Sequence, residues 1–167
     1  MLDIIRKVGS PQKLIDLINK VDNLDDVALL INKLNVDQVV AIANNLGTKS
    51  IKSIPSYQSN FETFYKVLGM PTWEFDVHHR IPQKADPNNL GIYTLEEVFH
   101  IDNLFAVDPK VHAEITAAWQ KFWKDNADRI PSQTEVAEFA AKIDKQFGQN
   151  FWPPIEIQDI IIKLLGK

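Results

Sequence analysis

An α+β fold dominated by helix is predicted by three observations on the sequence. Apolar residues recur at helical spacing four times before residue 70, period-two alternation is confined to a short stretch near residue 75, and capped helical patterns fill most of the C-terminal third. The change of texture after Met70-Pro71 divides the chain into a helical segment, 1–69, and a domain, 70–167.

The first three helices are expected at Pro11 to Val21, Leu24 to Leu34 and Val36 to Leu46, with Asp and Asn at the joints and Gly47 at the end. Leu17-Ile18-Asn19-Lys20-Val21 and Leu30-Ile31-Asn32-Lys33-Leu34 are near copies thirteen residues apart, and Ile42 to Leu46 is a weaker echo. Stacked units of this kind make a small helical bundle whose apolar faces pack together, with delivery or partner docking as the rival use. A Ser-, Lys- and Pro-rich connector covers Thr48 to Asn60, and a fourth helix carries Phe61, Phe64, Tyr65 and Leu68 on one face up to Gly69. The alternation in Thr72 to Val77 predicts a half-buried strand, and the apolar run Leu104 to Val107 a second. Between them a small helix is expected at Thr94 to Phe99. Asp108-Pro109 opens a long helix with Val111, Ile115, Ala118, Trp119, Phe122 and Trp123 on its core side. Two C-terminal helices close the chain: Ser132 to Phe147, with Ser132-Gln133-Thr134-Glu135 as a capping box, and Ile155 to Leu165 after the Pro153-Pro154 break.

Among the 167 residues there is no cysteine, which excludes disulfides, thiolate metal sites and cysteine nucleophiles and leaves His, Asp, Glu and Asn to hold any metal. The net charge is -4. Residues 71–130 carry six Lys/Arg against ten Asp/Glu, so no basic stripe for phosphate neutralisation is visible. No apolar run is long enough for a membrane span, and the opening MLDIIRKVGSPQ does not read as a secretory signal.

All four histidines, His78, His79, His100 and His112, fall within 35 residues, at an expected strand end, a loop and a helix start. Consecutive strand residues face opposite ways, but at a strand terminus one histidine can ligate a metal while its neighbour faces substrate. The stretch Phe75-Asp76-Val77-His78-His79-Arg80-Ile81-Pro82, followed by Ile101-Asp102-Asn103-Leu104 and by Asp108-Pro109-Lys110-Val111-His112, resembles the HNH nucleases with a ββα-metal core. Within that group it is most similar to colicin- and pyocin-type bacteriocin nucleases and the HNH toxins at the C-termini of bacterial polymorphic toxins. The resemblance covers residues 73–123 and rests on coincidence: an acid two before a His pair, a Pro after it, an Asn opening the second strand, and Pro-Lys-x-His beyond.

The resemblance implies a ββα-metal core wrapped by two C-terminal helices. It makes His79 the general base on water, Asn103 the residue fixing the His79 ring, and Asp76 an orienting acid at the rim. His78 and His112 would hold one divalent cation. Bacteriocin nucleases have a second helix histidine where this chain has Thr116, which leaves two imidazole ligands and makes Asp76, Asp102 and His100 candidates for a further one. Sparse ligation of that kind suits Mg²⁺ or Mn²⁺ ahead of Zn²⁺ or Ni²⁺. Arg80, Lys84 and Lys110 are the candidate phosphate contacts. DNA is the expected substrate and a cognate immunity protein the expected partner, for a toxin delivered from its producer into the cytoplasm of a target cell. The rival readings are an RNase with the same site and a binding module in which the metal only braces the fold.

Overall fold

The structure, a computed structural model, describes residues 11–20, 24–35, 37–39, 41, 65 and 74–166. Its organising element is the strand Leu104–Val107 (β2), buried at every position. Leu104 and Ala106 face one hydrophobic cluster and Phe105 and Val107 face another, as the two sides of a pleated strand require. A continuous apolar run is the sequence such doubly covered strands need. β2 pairs antiparallel with Asp76–His79 (β1), setting Asp76 opposite Val107, His78 opposite Phe105 and His79 opposite Leu104. The fold is thus mostly helical with one small two-stranded sheet.

The first cluster joins the beginning and end of the chain. Helices Pro11–Lys20 (α1) and Leu24–Lys33 (α2) place Ile18, Val27, Leu30 and Leu34 with Leu104, Ala106 and the C-terminal helix residues Ile157, Ile160 and Ile161. Lys33 pairs with Glu156 at 2.7 Å across the same contact. Tyr65, fully buried, accepts from Ala106 N at 2.7 Å and donates to the carbonyl of Trp152. Among the described residues, α1, α2 and Tyr65 thus lie in one cluster with β2 and the C-terminal helix. Of the third expected helix, residues 37–39 and 41 are helical; the rest of it, the connector and the fourth helix apart from Tyr65 lie outside the described residues.

The second cluster is formed by the helices Pro109–Asp125 (α4) and Gln133–Phe147 (α5) against β2. Asp108 caps α4 by accepting from Lys110 N, and Pro109 takes the first turn, where its missing N–H costs nothing. Ser132 and Glu135 form the expected capping box on α5, and Thr94 and Glu97 form another on the short helix Leu95–Phe99 (α3). The last helix, Ile155–Gly166 (α6), follows an isolated bridge between Trp152 and Ala106.

β1 begins later than the alternation predicts. Glu74 and Phe75 are not strand, and both histidines lie inside it, because pairing with the four residues of β2 decides where it starts. After β1 the chain turns through the 3₁₀ segment Gln83–Ala85. The buried Asp86 carboxylate organises that loop, accepting from Asn88 N, Asn89 N and the Asn89 side chain at 2.8–3.1 Å. Gly91, with φ at +65, closes it by donating to Asp86 O.

Candidate active site

The residues singled out in the sequence divide between two clefts. A cavity of about 650 Å³ is lined by Asp76, His78, His79, Lys84, His112 and Thr116, together with Gln83, Trp119, Gln120 and Trp123. A second, of about 520 Å³, is lined by Arg80, His100, Asp102 and Asn103, with Glu96 and Glu97. Lys110 lines neither and is exposed at the start of α4.

Strand and helix build the first cavity together. Asp76 and His78 share the face of β1 that meets α4, and His112 sits one turn into that helix. The His78 and His112 rings stand edge to face with centroids 5.9 Å apart, and Phe151 packs on His78 at 5.0 Å. His112 Nδ1 donates to Asp76 Oδ2 at 3.0 Å, which fixes the ring and leaves its Nε2 lone pair available. His78 is 2 % exposed, and its Nε2 is buried with no hydrogen-bond partner. Burial, reinforced by His112, His79 and Arg80, pushes the His78 imidazole down to about 3. Burial and then His112 push His79 down to about 4. Both rings are therefore neutral at pH 7, the form that binds metal or takes a proton.

His79 turns the other way, with Phe99 edge-on at 6.0 Å. Its Nε2 meets the side-chain amide of Gln83 at 3.1 Å. Lys84 Nζ stands 5.6 Å above the Trp123 ring on the same wall, a cation–π placement that holds its charge at the cavity. Trp119 Nε1 is buried without a partner.

Asn103 departs from its expected role. Its amide donates to Ile81 O and Val98 O, both at 2.8 Å, and accepts from Ile81 N at 2.6 Å, so it ties the turn after β1 to α3 and does not touch the His79 ring. Arg80 departs as well: its Nε donates to Asp144 on α5 at 2.6 Å, committing to the protein a guanidinium expected at phosphate. His100 pairs with Asp102 at 3.1 Å in the second cleft, so neither joins His78 and His112. Among the described residues no ready set of three His, Asp or Glu ligands is assembled. Sequence reasoning missed Gln83, Gln120 and the Asp144 partner of Arg80; a 3₁₀ turn that folds Gln83 back on His79 has no periodic signature to read.

No protein-family model, curated protein or solved structure matches this chain. No helix among the described residues is long and apolar enough to cross a membrane.

Proposed function

We propose that this chain is a metal-dependent nuclease of the HNH type, with β1, β2 and α4 as its ββα-metal core and DNA as its substrate. The observation that carries the reading is the convergence of Asp76, His78, His79 and His112 on one cavity. Two donors there fit a divalent cation: His78 Nε2, an acceptor buried without a partner beside a second imidazole, and His112 Nε2, left available by the bond to Asp76. Two imidazoles as the protein ligands would leave room for water and substrate oxygen, the sparse protein ligation we take to suit Mn²⁺ or Mg²⁺, with Ni²⁺ and Zn²⁺ as the ions imidazole also favours. When bound, such an ion supplies positive charge against the charge that builds on the phosphate.

The side chains divide the rest of the chemistry. His79, neutral at pH 7, is the base for the proton of the attacking water. Asp76 keeps His112 aimed. Lys84, Thr116 and Gln120 are the groups that meet phosphate oxygen. The similarity to bacteriocin nucleases extends the reading to an antibacterial toxin delivered into target cells, spared in its producer by an immunity protein. A binding module braced by the same metal is favoured by the depth at which His78 is buried.

Supercoiled plasmid with Mg²⁺, Mn²⁺, Ni²⁺ or Zn²⁺, against EDTA, tests the proposal. Metal-dependent nicking is expected. Intact plasmid but cut RNA makes the chain an RNase, and both intact under every metal leave the braced module as the account.

A further inference from the structure

An indole N–H donates and cannot accept, and a lysine ammonium does the same, so a ligand that meets both must bring acceptor oxygens. Trp119 lines the first cavity and is 5 % exposed, and its Nε1 is buried without a partner. The ring is not free to turn toward one. It stacks on Trp123 at 5.5 Å and meets Phe122 and Phe139 edge to face at 5.5 and 4.8 Å, while those two phenyl rings stack on each other. Packing on three rings fixes the donor in place, and an aromatic face offers an N–H only a weak partner.

The stacked pair also carries a charge. Lys84 Nζ stands 5.6 Å above the Trp123 ring, and its flexible four-carbon stem lets the ammonium leave that ring for a stronger partner in the same cavity. Thr116 and Gln120, on either side of Trp119 in α4, add a hydroxyl and an amide to the lining, and the carboxylate of Asp76 is already bonded to His112. A neutral acceptor would satisfy the N–H and not the ammonium. A phosphodiester satisfies both, because its single negative charge is shared by its non-bridging oxygens.

We infer that the Trp119 N–H is a fixed, non-titrating donor to a phosphodiester oxygen, and that Lys84 swings from Trp123 to close on the same anion. Lys84 and Gln120 are long and exposed, and a change in their rotamers, common on binding, opens the buried N–H to the ligand. The choice of a diester among anions rests on the nuclease reading; the pairing of an unmet N–H with an ammonium rests on the geometry.

The test uses the full chain labelled with ¹⁵N, whose four tryptophans give four indole N–H signals, with Trp119→Phe identifying the one at issue. Dimethyl phosphate is titrated in at low ionic strength, with EDTA so that no cation recruits the ester and again with Mg²⁺; trimethyl phosphate, the uncharged ester, is the control. The Trp119 signal is expected to move downfield and saturate with dimethyl phosphate and to stay still with trimethyl phosphate. Affinity should fall about ten-fold in Trp119→Phe, the effect of losing one hydrogen bond to an anion. Lys84→Ala should weaken binding by a similar factor and flatten its dependence on salt. A Trp119 signal that moves in neither titration, or a folded Trp119→Phe that binds as tightly as wild type, overturns the inference: the N–H then rests on an aromatic face and the ring is packing alone. Should Trp119→Phe fail to fold, the wild-type titration decides, with the signal assigned from its proximity to Phe122 and Phe139. If the signal moves as described but no nucleic acid is cut, the anion site stands and the nuclease reading fails. If plasmid is cut while the signal stays still, the reading stands and the anion site is lost.

Discussion

The two clefts are similar in volume and both hold histidine beside carboxylate, yet their polar groups are in opposite states. In the second cleft Arg80 is spent on Asp144, His100 on Asp102 and Asn103 on three backbone groups. In the first, His78 Nε2 and Trp119 Nε1 are buried with nothing to bind, and the His78 and His112 rings stand edge to face. An unmet buried polar atom costs about 1–3 kcal/mol, which a binding site recovers when its ligand arrives. In the second cleft these polar groups are satisfied within the protein; the unsatisfied ones lie in the first, where we propose the chemistry.

The largest effects should separate the clefts outright. His78→Ala or His112→Ala should abolish divalent-ion binding measured by calorimetry and reduce plasmid cleavage by about 10²-fold or more, whereas His100→Ala should change neither. Asn103→Ala, which frees the backbone of Ile81 and Val98 in a buried turn, should destabilise by about 3 kcal/mol in urea unfolding. Arg80→Ala leaves Asp144 half-buried without its guanidinium and should cost about 1–3 kcal/mol. Lys84→Ala, in contrast, should raise KM with little loss of stability.

Acid should act through the first cleft. His78 and His79 have folded pKa values of about 3 and about 4 against 6.5 in the unfolded chain, so the unfolded state binds more protons throughout that interval. Stability is then fully present above pH 6.5 and falls as pH drops toward the folded values, by up to about 1.4 kcal/mol per pH unit for each ring. Urea midpoints of the metal-free protein between neutrality and pH 4 check this, and the slope should shrink in His78→Gln. The smallest effect belongs to the second cleft: His100→Ala should alter stability by less than about 0.5 kcal/mol, since it removes one partly exposed contact with Asp102.

The same contrast explains what could be read in advance. β2, α3, α4 and the capping box of α5 stand where the sequence puts them, because apolar runs and caps are local signals. The start of β1 does not, since pairing with β2 sets it. Of the residues the sequence singles out, Asp76, His78, His79, Lys84, His112 and Thr116 line one cavity. Asn103 and Arg80 were visible as chemistry but not as partners: a donor declares what it can bind, not which of several acceptors the fold brings within 3 Å. The described helices α1 and α2 pack in one cluster with α6, because apolar faces at helical spacing do not name what they pack against.

Side-by-side nicking of supercoiled plasmid by wild type, His79→Ala and His100→Ala, each with Mn²⁺ and each shown folded by its melting curve, tests the central contrast most directly. Wild type and His100→Ala should nick at the same rate and His79→Ala should not nick. Equal nicking by His79→Ala, or its loss in His100→Ala alone, would contradict the assignment of chemistry to the first cleft.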